Sequence, residues 1–331
     1  MVRVSPTVKT ASVWLSLAGS AWLVWELRIG LLLALGAVLA AMMLHLVERS
    51  ICRVTGMRDS IALTLAVLLI LIAFVVCGWL FEARLTTQFG QVIHQIQAGL
   101  RELGPFRSFA GNASTLIGQT IPTALSSGLV IAEFAVVVAI AAIYIAAQPD
   151  MYRRGLVALF PRPLRADVAE ALKVVGAALQ YWLLGQLIIM VIVGAFSYCG
   201  MLIIGLPNPL ALALIAGIAE IIPYVGPFIG AVPAILVALT IGLAPALWTL
   251  AVYIAIHIFE GYLIAPLLQR RFVHIPPALI LMSILFSQLL FGPLGVMFAA
   301  PIAVFTYTAV KLLYVRDTLN EQVELPERIE F

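Results

Sequence analysis

The residues most able to do chemistry in this chain are carboxylates and a histidine set inside long apolar runs. Glu220 stands just before a Pro- and Gly-rich segment, and His257 and Glu260 follow in the next apolar run. A charged carboxylate at membrane depth is costly unless it has a partner or faces a wet cavity. We therefore expect Glu220 to handle protons or cations. A structural hydrogen bond, or a position at the membrane interface, is the alternative.

The segment from Pro223 to Pro227 should interrupt its helix. Pro223 and Pro227 each lack a backbone donor and clash with the preceding turn, and Gly226 allows unusual dihedral angles or close approach. A helix interrupted at membrane depth exposes backbone groups that protein or a bound solute must satisfy. We therefore predict that Pro223, Tyr224, Gly226 and Pro227 form a hinge or substrate site. A kinked helix satisfied by its neighbours is the alternative.

His257 and Glu260 are three residues apart, so a helix places them on one face, with Tyr253 on the same stripe. A histidine and a carboxylate in this arrangement can relay protons. A purely structural pair is the alternative, and a metal pair would be incomplete because the sequence marks no further ligand.

Two further kinds of polar residue occur in or near apolar runs. Glu133 lies about one turn inside its run, which makes it a candidate coupling residue, although near the membrane end it could simply reach water. Glutamines in such runs more often join helices than bind substrate; they are Gln180, Gln186 and Gln288.

The composition requires elements that cross lipid. Of 331 residues, 63% are hydrophobic and 11% charged, against roughly half and a quarter in soluble domains. The segment 174–310 carries only four charged residues: Glu220, Glu260, Arg270 and Arg271. The predicted fold is therefore all-α, a polytopic transmembrane protein with about eight spans and one helix broken by Pro and Gly.

Several functions are not expected from this sequence. The net charge of +3 is too small to indicate nucleic acid as a partner. The chain has no GxxxxGK[ST] phosphate loop, HExxH, GxSxG or paired Cys/His cluster, so neither an ATP motor nor an enzyme is expected, and no cofactor is predicted.

We divide the chain as a single membrane domain, 1–331. Spans of about 20 apolar residues, separated at Pro and Gly clusters and at charged stretches, give the following layout: 11–81, spans one to three; 82–127, an amphipathic extracytoplasmic region; 128–147, span four; 148–183, a cytoplasmic amphipathic region; 184–313, spans five to eight (about 184–205, 209–241, 244–267 and 277–313); and 314–331, a polar C-terminal tail. A cleaved signal peptide is the alternative for the first run.

Basic residues predict the orientation. Arginines and lysines cluster in 49–58 and 153–173, which places both segments, and the N-terminus, in the cytoplasm. The end of the chain is ambiguous. Eight single crossings put Arg270 and Arg271 outside, whereas a hairpin at the Pro223 break returns them inside and moves Lys311 and Arg316 outside.

Three motifs in the C-terminal half resemble the autoinducer-2 exporter family of bacterial permeases. They are the segment 219–230 (AEIIPYVGPFIG); Glu260 and Pro266 followed by 273–277 (VHIPP); and 291–295 (FGPLG) followed by 299–301 (AAP). The N-terminal half is similar to the family in layout only.

This resemblance implies a multi-pass transporter of the bacterial inner membrane that forms a homo-oligomer. It also implies export of a small polar signal molecule or exchange of sodium for protons. The family commonly has Asn after the Glu of the seventh span, where this chain has Gly261, so a polar contact of better-known members is missing here.

Three functional readings follow. The first is a permease in which the segment 219–230 and the span of His257 and Glu260 line the path for a small polar solute, a monovalent cation or protons. The second is an oligomeric passive channel or pore. The third, an intramembrane enzyme or a structural membrane partner, would require a catalytic set that the sequence does not complete.

Overall fold

The computed structural model describes residues 25–80, 128–264 and 275–316, together with residues 19, 22, 23, 91, 92, 94 and 95. This part of the chain is helical and contains no strand, which confirms the all-α prediction. Its α-helices are α1 (Arg28–Thr55), α2 (Asp59–Leu80), α3 (Gly128–Ala147), α4 (Pro149–Ala158), α5 (Arg165–Ile204), α6 (Pro209–Ala219), α7 (Gly226–Leu239), α8 (Leu243–Phe259), α9 (Pro277–Phe291) and α10 (Pro293–Val310). Short π-helical turns, Glu260–Ile264 and Lys311–Arg316, extend α8 and α10.

Four helical segments in the described residues are long and apolar enough to cross a membrane: Arg28–Thr55, Arg162–Ile204, Leu243–Ile264 and Pro293–Arg316. A fifth arises if α3 and α4, which meet at a bend of 92°, count as one span. A multi-pass membrane protein is thus confirmed, whereas the count of eight spans stays a prediction. The first predicted span and most of the region 82–127 fall outside the described residues.

The N-terminal helices pack through small residues. Ala41 and Leu44 of α1 meet Ala142 and Ala146 of α3 in one buried cluster, with side chains of α2 against it. Alanines let helix backbones approach closely, which is how helices associate in lipid, where apolar burial gives little driving force between them. A second cluster joins α1 to α5 and α10 through Leu39, Val175 and Val304.

Helix α5 is one continuous element of 40 residues. It contains the second part of the predicted amphipathic region 148–183 and continues without a break into the span predicted from residue 184. The helix stops at Gly205, whose φ of 79° lies in the left-handed region that glycine adopts without strain.

Helices α6 and α7 fold back on each other as a hairpin. Gly226 lies against Ala219 and Gly230 lies against Ala216, so the contacts move backward along α6 as the chain advances along α7. With 11 and 14 residues, the two helices are about 16 and 21 Å long. Each is shorter than the roughly 30 Å of hydrocarbon in a bilayer, so neither helix is long enough to cross it alone, and the antiparallel packing brings the end of α7 back beside the start of α6.

The segment 277–313, predicted as one long span, is instead a second hairpin. Ser283 Oγ donates to Ala299 O at 2.7 Å, and Gly295 packs directly on the backbone of Ser287, so α9 and α10 run antiparallel. The turn is at Gly292, with φ 68° and ψ −156°, a conformation suited to glycine. Sequence periodicity gave no sign of this reversal because both helices are apolar on all sides.

An ion pair joins the end of the α10 segment to the start of α5. The Arg316 guanidinium contacts both carboxylate oxygens of Glu170, at 3.0 and 3.3 Å. The end of the α10 segment therefore lies beside the start of α5, in the basic stretch predicted to be cytoplasmic. Two hairpins, rather than the single one considered from sequence, keep Arg316 on that side.

This arrangement predicts the labelling of single cysteines placed in a background without the three native ones. Leu159→Cys and Tyr314→Cys, both at exposed positions, should react with an impermeant maleimide from the same side of sealed vesicles. Leu243→Cys, at the exposed start of α8, should react only from the opposite side. Labelling of Leu159→Cys and Tyr314→Cys from opposite sides would contradict the two-hairpin arrangement.

Candidate functional site

The predicted break lies at the tip of the first hairpin. Helix α6 ends at Ala219 and α7 begins at Gly226, and Tyr224 between them has a φ of 65°, which is rare for a residue with a side chain. Glu220 is the first residue of this turn. Pro223 and Pro227 flank the reversal, so the prolines that suggested a kink accompany a complete change of direction.

The close approach of the two helices depends on glycine. A Cβ built on Gly226 would lie 2.8 Å from the Glu220 Cα, and one built on Gly230 would lie 2.8 Å from the Ala216 Cα. Both separations are shorter than carbon atoms tolerate without moving backbone. Helix α6 meets α5 in the same way, because a Cβ on Gly217 would lie 2.8 Å from Met190 O.

Glu220, His257 and Glu260 come together beside this turn. One ligand atom from each residue lies within 4.8 Å of the others, and His257 Nδ1 is 2.9 Å from Glu260 Oε2. Glu220 is 2% exposed, so its carboxylate is enclosed by protein. The hairpin thus brings one predicted site residue to the two on α8.

Neighbouring helices hold the backbone of the turn in place. The Gln186 side chain on α5 donates through Nε2 to Glu220 O, a carbonyl that the end of α6 leaves without a helical partner. Tyr253 on α8 donates through its hydroxyl to Gly230 O at 3.0 Å. Sequence reasoning assigned Gln186 to general helix contacts, and only the fold reveals that it supports the candidate site.

One nitrogen of the cluster has no partner. His257 Nε2 is buried, and no hydrogen-bond partner for it exists in the described part of the chain. Since His257 Nδ1 already contacts Glu260, the second ring nitrogen is left to bind something else. An unsatisfied buried polar atom of this kind calls for an explanation.

An apolar cavity of about 500 Å³ opens beside the cluster. Residues of α7 and α8 form most of its walls. His257, a member of the cluster, lines the cavity, and so does Tyr253, whose hydroxyl holds the backbone of α7. The cavity is lined by Pro227, Phe228, Ala231, Val232, Ile235, Leu250, Tyr253, Ile254, His257, Ile258 and Tyr262.

Glu133 occupies a different part of the molecule. It is exposed on α3, a helix that packs mainly on α1, and it does not belong to the cluster of Glu220, His257 and Glu260. Its role as a coupling residue stays a prediction.

A second histidine-carboxylate pair was not singled out from sequence. His45 Nδ1 and Glu48 Oε2 lie 2.6 Å apart on α1, and Glu48 is buried. The signal was present, because both pairs have the spacing His-x-x-Glu. In the described residues no third His, Cys, Asp or Glu joins this pair in a group that could bind a metal.

Comparisons with known proteins place this chain among membrane transport proteins. A family model described as AI-2E family transporter matches residues 12–314. YrrI of Bacillus subtilis, provisionally named a transport protein, is 32% identical over 158 residues, which cover 48% of this chain and 45% of YrrI. PerM of Escherichia coli, provisionally named a permease, is 26% identical over 177 residues, which cover 53% and 50% of the two chains.

YueF of Bacillus subtilis, also provisionally named a transport protein, is 30% identical over 174 residues. The chain spans about half the length of the curated relatives it matches. The names of these proteins state transport or permeation and specify no solute.

Proposed function

Because this chain belongs to the AI-2E transporter family, we propose that it is an inner-membrane permease whose path passes the tip of the first hairpin. It moves a small polar solute, or exchanges a cation for protons. Glu220, His257 and Glu260 bind the transported or coupling cation, and Pro223, Tyr224, Gly226 and Pro227 form the turn that positions Glu220.

The convergence of the cluster carries this proposal. Two carboxylates and an imidazole lie within 4.8 Å of one another inside an otherwise apolar assembly. Ionisable groups at membrane depth usually mark the route of a solute, ion or proton. Transporters commonly place such groups where helices are discontinuous, as Glu220 is placed here.

The cavity supports an access route to the cluster. It is bounded by α7, which belongs to the hairpin, and by α8, which carries His257. A change in the separation of these two helices would alter both the cavity and the distance from Glu220 to His257. A motion of this kind can therefore couple cation binding to the passage of solute. Such coupling is expected of a carrier and is absent from a static pore.

Reconstitution in proteoliposomes tests the proposal. Uptake of radioactive sodium, proton movement and counterflow of autoinducer-2 should include at least one flux that saturates and depends on a gradient. Ala231→Trp, which fills the cavity from α7, should reduce that flux at least about tenfold, since the bulky ring blocks the space beside His257.

Ala251→Trp is the matched control, since Ala251 is exposed on α8 and does not line the cavity. Equal fluxes in both variants would place the path elsewhere. A flux that neither saturates nor follows a gradient would instead identify a passive pore.

A further inference from the structure

The donor atoms of the cluster select a particular class of cation. Glu220 and Glu260 offer carboxylate oxygens and His257 offers a ring nitrogen. Alkali ions are bound through oxygen, whereas imidazole is a preferred ligand of zinc and of other divalent transition metals. A mixed set of one nitrogen and two carboxylates is therefore poorly matched to sodium and well matched to such metals.

Two groups of the cluster are available to bind a ligand. His257 Nε2 is buried without a hydrogen-bond partner in the described residues. Glu220 as a residue is 2% exposed. The hydrogen bond that it receives from Gln186 reaches its backbone carbonyl, so its carboxylate is left to face His257 and Glu260. A metal ion bound by Nε2 and by the Glu220 carboxylate would satisfy both groups at once.

The charge of the cluster agrees with a divalent ion. Two ionised carboxylates beside one another repel and lose hydration in a buried site. A monovalent cation leaves a net negative charge there, whereas a divalent cation neutralises both carboxylates. In the described residues, Glu260 forms an ion pair with His257. No lysine or arginine there forms an ion pair with Glu220 or Glu260.

We propose that Glu220, His257 and Glu260 form a binding site for a divalent transition-metal ion of the zinc, cobalt or manganese class. The inference rests on the function proposed above, because it specifies the cation that the same cluster binds. Three protein ligands leave a coordination position open, and His257 connects the site to the cavity. An exchangeable ion is expected at such a site, as opposed to a permanently enclosed one.

The two nitrogens of His257 suit this role. If Nδ1 donates to Glu260, the lone pair on the buried Nε2 is directed to a ligand, and the carboxylate orients the ring as an outer partner does in metal sites. If Nδ1 binds the ion itself, Glu260 is a direct ligand. Both arrangements require His257 and Glu220.

Metal binding by the purified full-length chain tests the inference. With no polyhistidine tag present, titration with Co²⁺ should give visible absorption of a low-coordinate cobalt site and a stoichiometry of one ion per chain, with Zn²⁺ displacing it. His257→Asn and Glu220→Gln should each weaken binding at least about tenfold. An excess of Na⁺ should leave the spectrum unchanged.

His45→Asn is the matched control. It removes the histidine of a pair with the same spacing and a similar contact, but one without a third acidic ligand in the described residues. Cobalt binding should be unaffected. Equal loss in His45→Asn and His257→Asn, or no saturable cobalt binding in the native chain, would overturn the inference.

The same variants separate the two proposals. If cobalt does not bind but Glu220→Gln still removes coupled flux, the metal site fails and the permease proposal stands. If cobalt binds at the cluster while every flux is unchanged in Glu220→Gln, the metal site stands and the proposed path through the cluster fails.

Discussion

Replacing Glu220 with Gln should abolish gradient-coupled flux while the chain remains folded and inserted. Gln has nearly the same size and can occupy the turn between α6 and α7, so packing is kept. It removes the negative charge that the buried carboxylate, 2% exposed, brings to His257 and Glu260. Losing the charge-assisted contact that the carboxylate makes with the bound cation costs about 1.5–3 kcal/mol, which corresponds to a fall in flux of roughly ten- to 150-fold.

Initial rates in proteoliposomes, normalised to protein that elutes as a single species in detergent, measure this effect. Asp150→Asn provides the comparison. It neutralises a carboxylate that is exposed on α4, where it pairs with Arg153, and stands apart from the cluster, so flux should stay within about twofold of the native value. Native flux in Glu220→Gln, or equal losses in the two variants, would remove Glu220 from the mechanism.

Replacing Gly226 with Ala should destabilise the first hairpin and, with it, the candidate site. The added Cβ would lie 2.8 Å from the Glu220 Cα, at the start of α7. Backbone atoms cannot rotate away as a flexible side chain can, so α6 and α7 must separate. Overpacking costs about 1–3 kcal/mol, and here the displaced backbone also carries the carbonyl that Gln186 holds.

Thermal denaturation of the purified variants in detergent measures this destabilisation, and coupled flux reports the accompanying loss of function. Gly261→Ala is the control, because a Cβ at Gly261 would meet no atom within 4 Å although the residue adjoins Glu260. A Gly226→Ala variant as stable and active as Gly261→Ala would show that the close approach at the hairpin tip is not required.

Much of the architecture follows from properties that are local in the chain. The apolar composition requires helices in lipid, since backbone groups there must be satisfied within the segment. Pro223 lacks a backbone donor and clashes with a preceding helical turn, and Pro227 is tolerated in the first turn of a helix, where α7 places it, so the position of the break was predictable. His257 and Glu260 share a face because they are three residues apart, and the structure places them in contact.

The direction of the chain after each break depends on contacts that a local pattern does not contain. A proline kink and a full reversal have similar sequence signals, and the difference lies in whether α7 packs back on α6 through Gly226 and Gly230. The second hairpin was missed for the same reason. Helices α9 and α10 are apolar throughout, so their pattern marks no buried face from which a reversal could be predicted.

The lipid environment, the helical class, the position of the break and the residue types able to bind a cation all follow from the amino-acid sequence, because each depends on side-chain chemistry or on short-range geometry. The tertiary structure alone decided that Glu220 meets His257 and Glu260, that Gln186 supports the turn, and that Arg316 returns to the side of Glu170. These contacts join residues far apart in the chain. They exist because the close packing of small residues folds two apolar segments back on themselves, which no single segment specifies.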